Sequence, residues 1–230
     1  MSHGKKYQEK AKLVESEKLY TVAEAIVLVL QTSRAKFPES VDISMKLGVD
    51  LAKNESVRGT VSPPHGTGKT IRIGVITSDA NIEKAQKAGA AIAGGEDLIE
   101  QIKTGFTGFD VLLATPDMMP KIARLGKILG GKGLMPNPKS GTVVKDVEEG
   151  VGAFQKGRME FRMDKGGVVH AKIGSVKFTS EMLEENLRAV VGGVLRARPS
   201  SVKGQFLRSV SLSTTMGPGI HISVKEFIRG

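Results

Sequence analysis

Hydrophobic and polar residues follow two different periods along the first third of the chain. Residues 21–30 have apolar side chains at helical spacing, and a threonine and a glutamate at capping-box spacing open this segment. Residues 41–49 alternate between apolar and polar side chains, which predicts a strand with one buried and one solvated face. A second strand is predicted at residues 58–62. The prolines and glycines of residues 63–68 then interrupt the pattern and mark a boundary.

The middle of the chain has a different rhythm, in which short apolar segments alternate with amphipathic ones. The pattern predicts strands at residues 71–77 and 110–115, and helices at residues 80–88, 97–103, 117–129 and 147–156. Such an alternation of strands and helices is typical of an α/β layer built on a mostly parallel sheet.

Long alternating strands return in the last third of the chain. They are predicted at residues 159–164, 168–173, 205–213 and 219–224, with one helix at residues 180–197. The tripeptide Lys165-Gly166-Gly167 stands between the first two of these strands and favours a hairpin.

The two ends of the chain complete each other. A helix with two strands at the N-terminal end cannot cover both faces of its own sheet, whereas the C-terminal strands and helix complete a two-layer α/β sandwich. We therefore predict a split domain made of residues 1–67 and 159–230, with a second α/β domain, residues 68–158, inserted between its parts. The two chain crossings between these domains would form a hinge.

The net charge of +10 indicates a polyanionic partner. Residues 1–69, 70–158 and 159–230 carry net charges of +3, +2 and +5, so most of the excess belongs to the two ends. The same excess also fits a protein that is merely highly soluble. Only 4% of the residues are aromatic, which disfavours a stacking platform for single strands and favours recognition of a folded RNA through sugars and phosphates.

Several classes of function are disfavoured by residues that the chain lacks. It has no cysteine, which excludes disulfides, thiol catalysis and thiolate metal sites. Its four histidines are scattered, so no metal or other cofactor is expected. No apolar run is long enough to span a bilayer and no signal segment opens the chain, so we expect a cytosolic protein without a membrane partner. No residue is assigned a catalytic role.

Gly68-Lys69-Thr70 resembles the end of a phosphate-binding P-loop, which would suit an enzyme that acts on a nucleotide. The pattern fails because its first glycine falls on Pro63, and because Lys69 leads into a strand rather than a helix. A hinge loop with a solvated lysine is therefore the favoured interpretation. The enzyme remains a rival hypothesis that an ATP or NAD titration would test.

Two further loops have residues suited to RNA. Residues 130–139 are basic and glycine-rich, so their backbone could approach phosphate, although an irregular connection needs the same residue types. Residues 214–219 combine threonine hydroxyls, a methionine and glycines, which can contact ribose, although an ordinary loop is the simpler interpretation. Each of three single residues also has a simpler interpretation. It is a solvated charge for Lys36, a core side chain for Phe37 and a structural histidine for His170.

Five motifs together resemble one known family. They are, in chain order, Ala35-Lys36-Phe37, Val57-Arg58-Gly59-Thr60-Val61, His65-Gly66-Thr67-Gly68-Lys69, Gly133-Leu134-Met135-Pro136-Asn137-Pro138-Lys139 and Ser213-Thr214-Thr215-Met216-Gly217. In this order, over nearly the whole chain, they resemble the bacterial-type L-one family of large-subunit ribosomal proteins, which belong to the mobile stalk.

The resemblance implies a discontinuous two-layer α/β sandwich domain with an inserted Rossmann-like, three-layer α/β domain. It implies binding to large-subunit rRNA at the stalk, help in releasing deacylated tRNA from the exit site, and repression of translation from the protein's own operon mRNA. It also implies a protein that is not an enzyme, is monomeric when free, and resides on the ribosome in the cytoplasm, or in the stroma if the source is a plastid.

The resemblance also assigns RNA-binding residues by motif match. They are Lys36, Phe37, Ser209, Thr215, Met216 and Gly217, with Lys165 and His170 as neighbours. These assignments replace the simpler interpretations of the lysine, the phenylalanine and the threonine loop. Met163 stands where relatives often have asparagine, so this chain lacks one polar side chain in the segment before Lys165. A general nucleic-acid packaging protein is the remaining rival, which equal affinity for random duplex DNA would support.

Overall fold

The computed structural model describes residues 4–15, 17–50 and 56–228. The chain divides into two compact units, of which one comprises Met1–Gly68 with Glu160–Gly230 and the other Lys69–Met159. We call them the split unit and the middle unit. Each combines helices with sheet strands, so the predicted α/β fold class is confirmed.

The secondary-structure elements follow one another in chain order through both units. The helices of the described residues are α1 (Lys5–Ala11), α2 (Val22–Thr32), α3 (Asp79–Lys87), α4 (Glu96–Lys103), α5 (Met119–Ile122), α6 (Gly126–Gly131), α7 (Val147–Gln155), α8 (Ser180–Arg196) and α9 (Lys225–Ile228). The strands are β1 (Ser40–Leu47), β2 (Arg58–Val61), β3 (Ile73–Ile76), β4 (Ile92–Gly94), β5 (Val111–Ala114), β6 (Met159–Arg162), β7 (Val168–Ser175), β8 (Leu207–Thr214) and β9 (Ile220–Ile222).

The split unit contains a four-stranded antiparallel sheet with the order β7-β1-β8-β9. Helices α2 and α8 contact each other and pack against one face of this sheet. The capping box predicted at the start of α2 is present, because the Thr21 side chain accepts a hydrogen bond from Glu24 N while Thr21 N donates to Glu24 Oε2 at 3.0 Å. One helical layer on one sheet is the two-layer sandwich that the sequence predicts.

Strand β1 shows how the core imposes a polar surface. Val41, Ile43, Met45 and Leu47 are buried, so the intervening polar side chains project from the face that α2 and α8 leave uncovered. Burying each of these apolar side chains contributes about 1.5–3 kcal/mol, and a shift of one residue would expose all of them. The register of the polar residues is therefore fixed by the core behind them.

The structure contains the turn of the hairpin predicted around Lys165, but its two flanking strands belong to different sheets. The turn itself forms, since Gly167 N donates to Asp164 O at 3.1 Å and Asp164 N donates to Val168 O at 2.8 Å. The flanking strands then diverge, because β6 pairs with β2 in a two-stranded sheet whereas β7 pairs with β1. A turn fixes only its nearest neighbours, and the long register between β7 and β1 decides where β7 lies.

The middle unit is built on a parallel sheet with the order β4-β3-β5. On one face α3 and α7 enclose a buried cluster that includes Ile73, Leu113 and Phe154. On the other face α4, α5 and α6 enclose a second cluster that includes Ile102 and Ile122. Helices on both faces of a parallel sheet give the three-layer arrangement expected of a Rossmann-like domain.

The helix predicted at residues 117–129 is broken in the structure. Helices α5 and α6 are short, and 3-10 turns at Pro116–Met118 and Ala123–Leu125 precede them. Pro120 has no N–H to donate and Gly126 is a weak helix former, so the apolar periodicity survives without one continuous α-helix. Strand β4 is absent from the sequence-based prediction, since three half-buried residues give no periodic signal.

Two buried hydroxyls of the middle unit have no hydrogen-bond partner among the described residues. Thr77 follows β3 and Thr115 follows β5, and their exposed fractions are 0% and 4%. A buried hydroxyl without a partner costs about 1–3 kcal/mol in desolvation. We expect Thr77→Val, which keeps the side-chain shape and removes the hydroxyl, to raise the free energy of unfolding by about 1–2 kcal/mol in urea titrations.

Thr142→Val is the matched control within the middle unit. The Thr142 hydroxyl is also buried, but it accepts a hydrogen bond from Asn137 N at 2.8 Å and lies 3.1 Å from Ser140 Oγ. Its removal should therefore lower the free energy of unfolding by about 1 kcal/mol. If Thr77→Val destabilised the chain as Thr142→Val does, the Thr77 hydroxyl would have a partner in solution.

Candidate nucleic-acid interface

The buried carboxylate of Glu39 joins two loops that lie far apart in the sequence. Its Oε1 accepts two backbone hydrogen bonds, of 2.8 and 2.6 Å, from the segment that follows α2. Its Oε2 accepts a hydrogen bond of 3.0 Å from Met216 N, in the turn that follows β8. These bonds hold residues 33–39 beside residues 214–217, and we call the two segments the loop pair.

Glu39 is an ionised side chain although it is fully buried. Burial raises the pKa of a carboxyl group, but the amide hydrogen bonds from Ala35, Arg34 and Met216 outweigh burial and lower the pKa of Glu39 from 4.5 to about 2. At neutral pH the loop pair is therefore held by a buried negative charge.

The loop pair presents Lys36, Phe37 and Met216 to solvent. Lys36 is exposed, and Phe37 and Met216 are 52% and 46% exposed, so the interpretation of Phe37 as a core side chain is wrong. The Arg34 side chain supports this arrangement, because its Nε donates to Met216 O at 2.9 Å and its guanidinium lies 5.5 Å from the centre of the Tyr7 ring. A cation beside two exposed apolar side chains can bind phosphate and pack against a ribose or a base.

The Thr215 hydroxyl belongs to a chain of hydrogen bonds at the start of β1. Thr215 Oγ1 accepts a hydrogen bond from Ser40 N at 3.0 Å and lies 3.0 Å from Ser40 Oγ. Ser40 Oγ in turn donates to Asp42 Oδ2 at 2.6 Å. Because the Ser40 proton goes to the carboxylate, Thr215 is the donor in its contact with Ser40 Oγ. One lone pair of the Thr215 hydroxyl therefore remains to accept a hydrogen bond from a ligand.

Gly217 keeps the turn after β8 narrow. Its N–H donates to Thr214 O at 3.2 Å, and a Cβ atom at this position would lie 2.4 Å from Thr214 Oγ1. A larger residue would therefore force either the buried Thr214 side chain or the turn that carries Met216 to move. The turn's own packing needs this glycine, in addition to any close approach of a ligand.

The outward side chains of β1, β7 and β8 continue the site beyond the loop pair, and we call them the polar face. The cross-strand register sets Ser44 opposite both His170 and Ser211, and it sets Lys46 opposite Ser209. His170 Nδ1 lies 2.9 Å from Ser44 Oγ, and the His170 side chain is 62% exposed. The serine hydroxyls of the polar face thus lie between His170 on β7 and Lys46, which is further along β1.

Lys165 lies at the end of the polar face that is farther from the loop pair. It is an exposed residue of the turn before β7, and this turn is tied to β1 because Lys46 Nζ donates to Gly166 O. Ser40 and Lys46 are six positions apart in β1, which corresponds to about 20 Å at the usual rise of a strand. The structure therefore brings Lys36, Phe37, Thr215, Met216 and Gly217 together at one end, and Ser209, His170 and Lys165 toward the other.

Sequence reasoning missed the side chains that organise this surface. Glu39 has no sequence signal, because a single glutamate before a strand is unremarkable until its partners are known. Ser40, Asp42 and Ser44 lie on the solvated positions of the alternating segment, so that alternation already contained the signal that they share one face with Lys46.

The structure also describes the segment at Gly68-Lys69-Thr70 and the glycine-rich loop at residues 130–139. The Gly68-Lys69-Thr70 segment leads into β3 rather than a helix, so it is not a P-loop. Lys69 Nζ lies 3.3 Å from Asp110 Oδ1, which makes it a paired rather than a merely solvated lysine. In the loop at residues 130–139, Leu134 N donates to Leu129 O at 2.9 Å, so its beginning is bonded back to α6.

The part of the chain that the structure describes contains no group of three or more His, Cys, Asp or Glu residues placed to hold a metal ion. Within the same residues, no helix is both long enough and apolar enough to cross a membrane.

Comparisons with known proteins identify one family. The family model described as the ribosomal protein L1p/L10e family matches residues 29–218, a range that contains every residue assigned to the interface. The large ribosomal subunit protein uL1 of Thermobifida fusca (strain YX) is 48% identical over 223 residues, which cover 96% of this chain and 95% of that protein. The resemblance found in the five motifs is thereby confirmed, and this chain belongs to the ribosomal protein L1p/L10e family.

Proposed function

We propose that the chain binds large-subunit rRNA at the mobile stalk of the ribosome, through the loop pair and the polar face of the split unit. The observation that carries the proposal is the ionised Glu39, which fixes residues from both ends of the chain into one exposed surface. The similar protein from Thermobifida fusca is a large ribosomal subunit protein, which supports the same assembly here and favours a bacterial rather than a plastid setting.

Ribosomal proteins of this family are structural and not enzymes, which excludes the rival nucleotide enzyme. The chemistry of the proposed surface divides into two roles. Lys36, Lys165 and Lys46 neutralise phosphates, which gives affinity that falls steeply with salt. The Thr215 hydroxyl and the Asp42 carboxylate accept hydrogen bonds from ribose 2′-OH groups, which DNA lacks. Selectivity for RNA then comes from the hydrogen bonds to ribose 2′-OH groups, and affinity from the lysines that contact phosphates.

Two further roles extend this proposal. A stalk protein that binds rRNA in this way helps to release deacylated tRNA from the exit site, and the same surface represses the protein's own operon mRNA when that mRNA mimics the rRNA site. Both roles are supported by the family alone. If one surface serves both RNAs, substitutions in the loop pair weaken rRNA and mRNA binding in parallel, and the free protein acts as a monomer.

The proposal is tested by measuring affinity for a stalk-region rRNA fragment over a range of salt concentrations. Thr215→Ala should weaken binding by about fivefold, equivalent to about 1 kcal/mol for one hydrogen bond, and should leave the salt slope unchanged. Lys36→Gln should instead reduce the slope of log K against log salt by roughly 0.7–0.9, the effect of one lost phosphate contact.

Thr215→Ser is the control, because it keeps the hydroxyl and should retain the wild-type affinity. Full affinity of Thr215→Ala would contradict the placement of the interface at the loop pair. Equal affinity of the wild-type chain for the rRNA fragment and for random duplex DNA would favour the packaging protein instead.

A further inference from the structure

A concave pocket of about 240 Å³ opens in the split unit at the edge where β8 meets β9. Its lining includes Leu19, Gln205, Arg208, Ser209, His221 and Lys225. None of these residues except Ser209 belongs to the interface that the sequence motifs assign. We call this concavity the edge pocket.

The edge pocket is cationic, and the described residues that line it include no negative charge. Arg208 and Lys225 line it, and no carboxylate does so among the described residues. Within the same residues neither of these two side chains has a hydrogen bond or an ion pair, whereas Arg188 is paired with Glu184 at 2.7 Å and Lys69 with Asp110 at 3.3 Å. His221 adds an exposed ring that can donate a further hydrogen bond.

The edge pocket is continuous with the polar face. Ser209 lines the pocket and lies opposite Lys46 in the register of β1 and β8. His221 lies opposite Ser211, which in turn lies opposite Ser44. An RNA strand that follows the polar face from the loop pair therefore reaches the pocket at the far end of β8.

We propose that the edge pocket is a subsite for one backbone phosphate of the RNA that lies on the polar face. This inference rests on the proposed function. The Arg208 guanidinium can donate two parallel hydrogen bonds to phosphate oxygens, and Lys225 supplies a second positive charge. The exposed side chain of Leu19 gives an apolar wall against which the attached ribose packs.

The size of the pocket limits it to one such group. Its 240 Å³ correspond to about eight water molecules at about 30 Å³ each, which is below the usual range of small-molecule sites. That space holds one phosphate with part of its hydration, but not a duplex. If Arg208 and Lys225 bind the same phosphate, their contributions to the salt slope should not be additive.

The experiment compares the salt dependence of binding to the stalk-region rRNA fragment for the wild type, Arg208→Gln, Lys225→Gln and the double variant. The double variant should lose roughly 0.7–0.9 from the slope and about tenfold in affinity at moderate salt, the effect of one phosphate rather than two. Arg208→Lys, which keeps the positive charge, should retain most of the wild-type salt slope. Arg188→Gln, on the helical side of the split unit, is the charge-matched control and should change neither quantity.

Ethylation interference on the same fragment identifies the phosphate. One position should block binding when ethylated in the wild type and should cease to matter in the double variant, which a merely structural effect of the substitutions would not produce. A slope unchanged in the double variant, or reduced by two ions, overturns the subsite while leaving the proposed function intact. Absence of wild-type binding overturns both.

A titration with inorganic phosphate alone distinguishes the RNA backbone from a free anion. The NMR signals of the Arg208 side chain and the His221 ring should shift with the rRNA fragment and not with millimolar phosphate. Shifts with phosphate, together with an interference pattern that is identical in the wild type and the double variant, would assign the pocket to a free anion and overturn the proposal.

Discussion

Glu39→Ala is expected to lower the free energy of unfolding of the split unit by about 3 kcal/mol. The substitution removes the acceptor of three backbone hydrogen bonds. Hydrogen bonds to a charged group contribute about 1.5–3 kcal/mol each, and water recovers part of this once the side chain is gone. Urea titration followed at the NMR signals of β1 measures the change.

The same carboxylate makes stability depend on pH. The pKa of Glu39 is about 2 in the folded chain against an ordinary 4.5, so its contribution is complete above about pH 4.5 and is lost as the pH falls toward 2. Over that range the wild type should lose about 3 kcal/mol more than Glu39→Gln, which has no proton to take up. A constant difference between the two across the range would contradict an ionised Glu39.

Glu39→Gln should also weaken RNA binding. The glutamine oxygen can still accept the hydrogen bonds from Arg34 and Ala35, but its amide group then faces the Met216 N–H, donor against donor. The turn that carries Met216 is released while the fold is retained. Glu160→Gln, which makes the same charge change at an exposed position of β6, should leave both stability and affinity unchanged.

The parts of the fold that were predictable from the sequence are those whose signal is local. The alternation along β1 and the capping box of α2 each arise within a few residues, and the structure reproduces both. The partner of β6 could not be read in this way, because a turn sequence says that two strands meet but not how far they stay paired. Strand pairing is decided by long-range burial, as with β7 on β1.

The candidate site was predictable in its residue types but not in its assembly. The family motifs indicate Lys36, Phe37 and Thr215. Nothing in the sequence said that the loops carrying them touch, since they meet through Glu39 and Ser40, whose roles depend on contacts across more than a hundred residues. The edge pocket could not be predicted from the sequence either. Arg208 and Lys225 are separated along the chain and come to line one pocket only through the pairing of β8 with β9.

A buried amide holds the segment through which the chain leaves the split unit. Asn186 on α8 is fully buried, its Oδ1 accepts a hydrogen bond from His65 N at 3.1 Å, and its Nδ2 donates to Gly66 O at 2.9 Å and to Ile173 O at 2.8 Å. Gly66 has φ of 65°, a conformation that glycine adopts without strain. One side chain thus satisfies three backbone groups and ties residues 63–68 to β7.

Asn186→Ala is expected to lower the free energy of unfolding by about 2–3 kcal/mol, because it leaves the buried Ile173 carbonyl and two partly buried backbone groups without this partner. Hydrogen exchange of the His65 amide should accelerate by a larger factor than exchange in β1. The control is Glu185→Gln, which disrupts only the contact of 2.7 Å between Glu185 Oε2 and His65 Nε2. The Glu185 side chain is 61% exposed, so that change should cost less than about 1 kcal/mol. Equal losses in the two variants would mean that the side-chain pair at the surface, and not the buried amide, anchors residues 63–68 to the split unit.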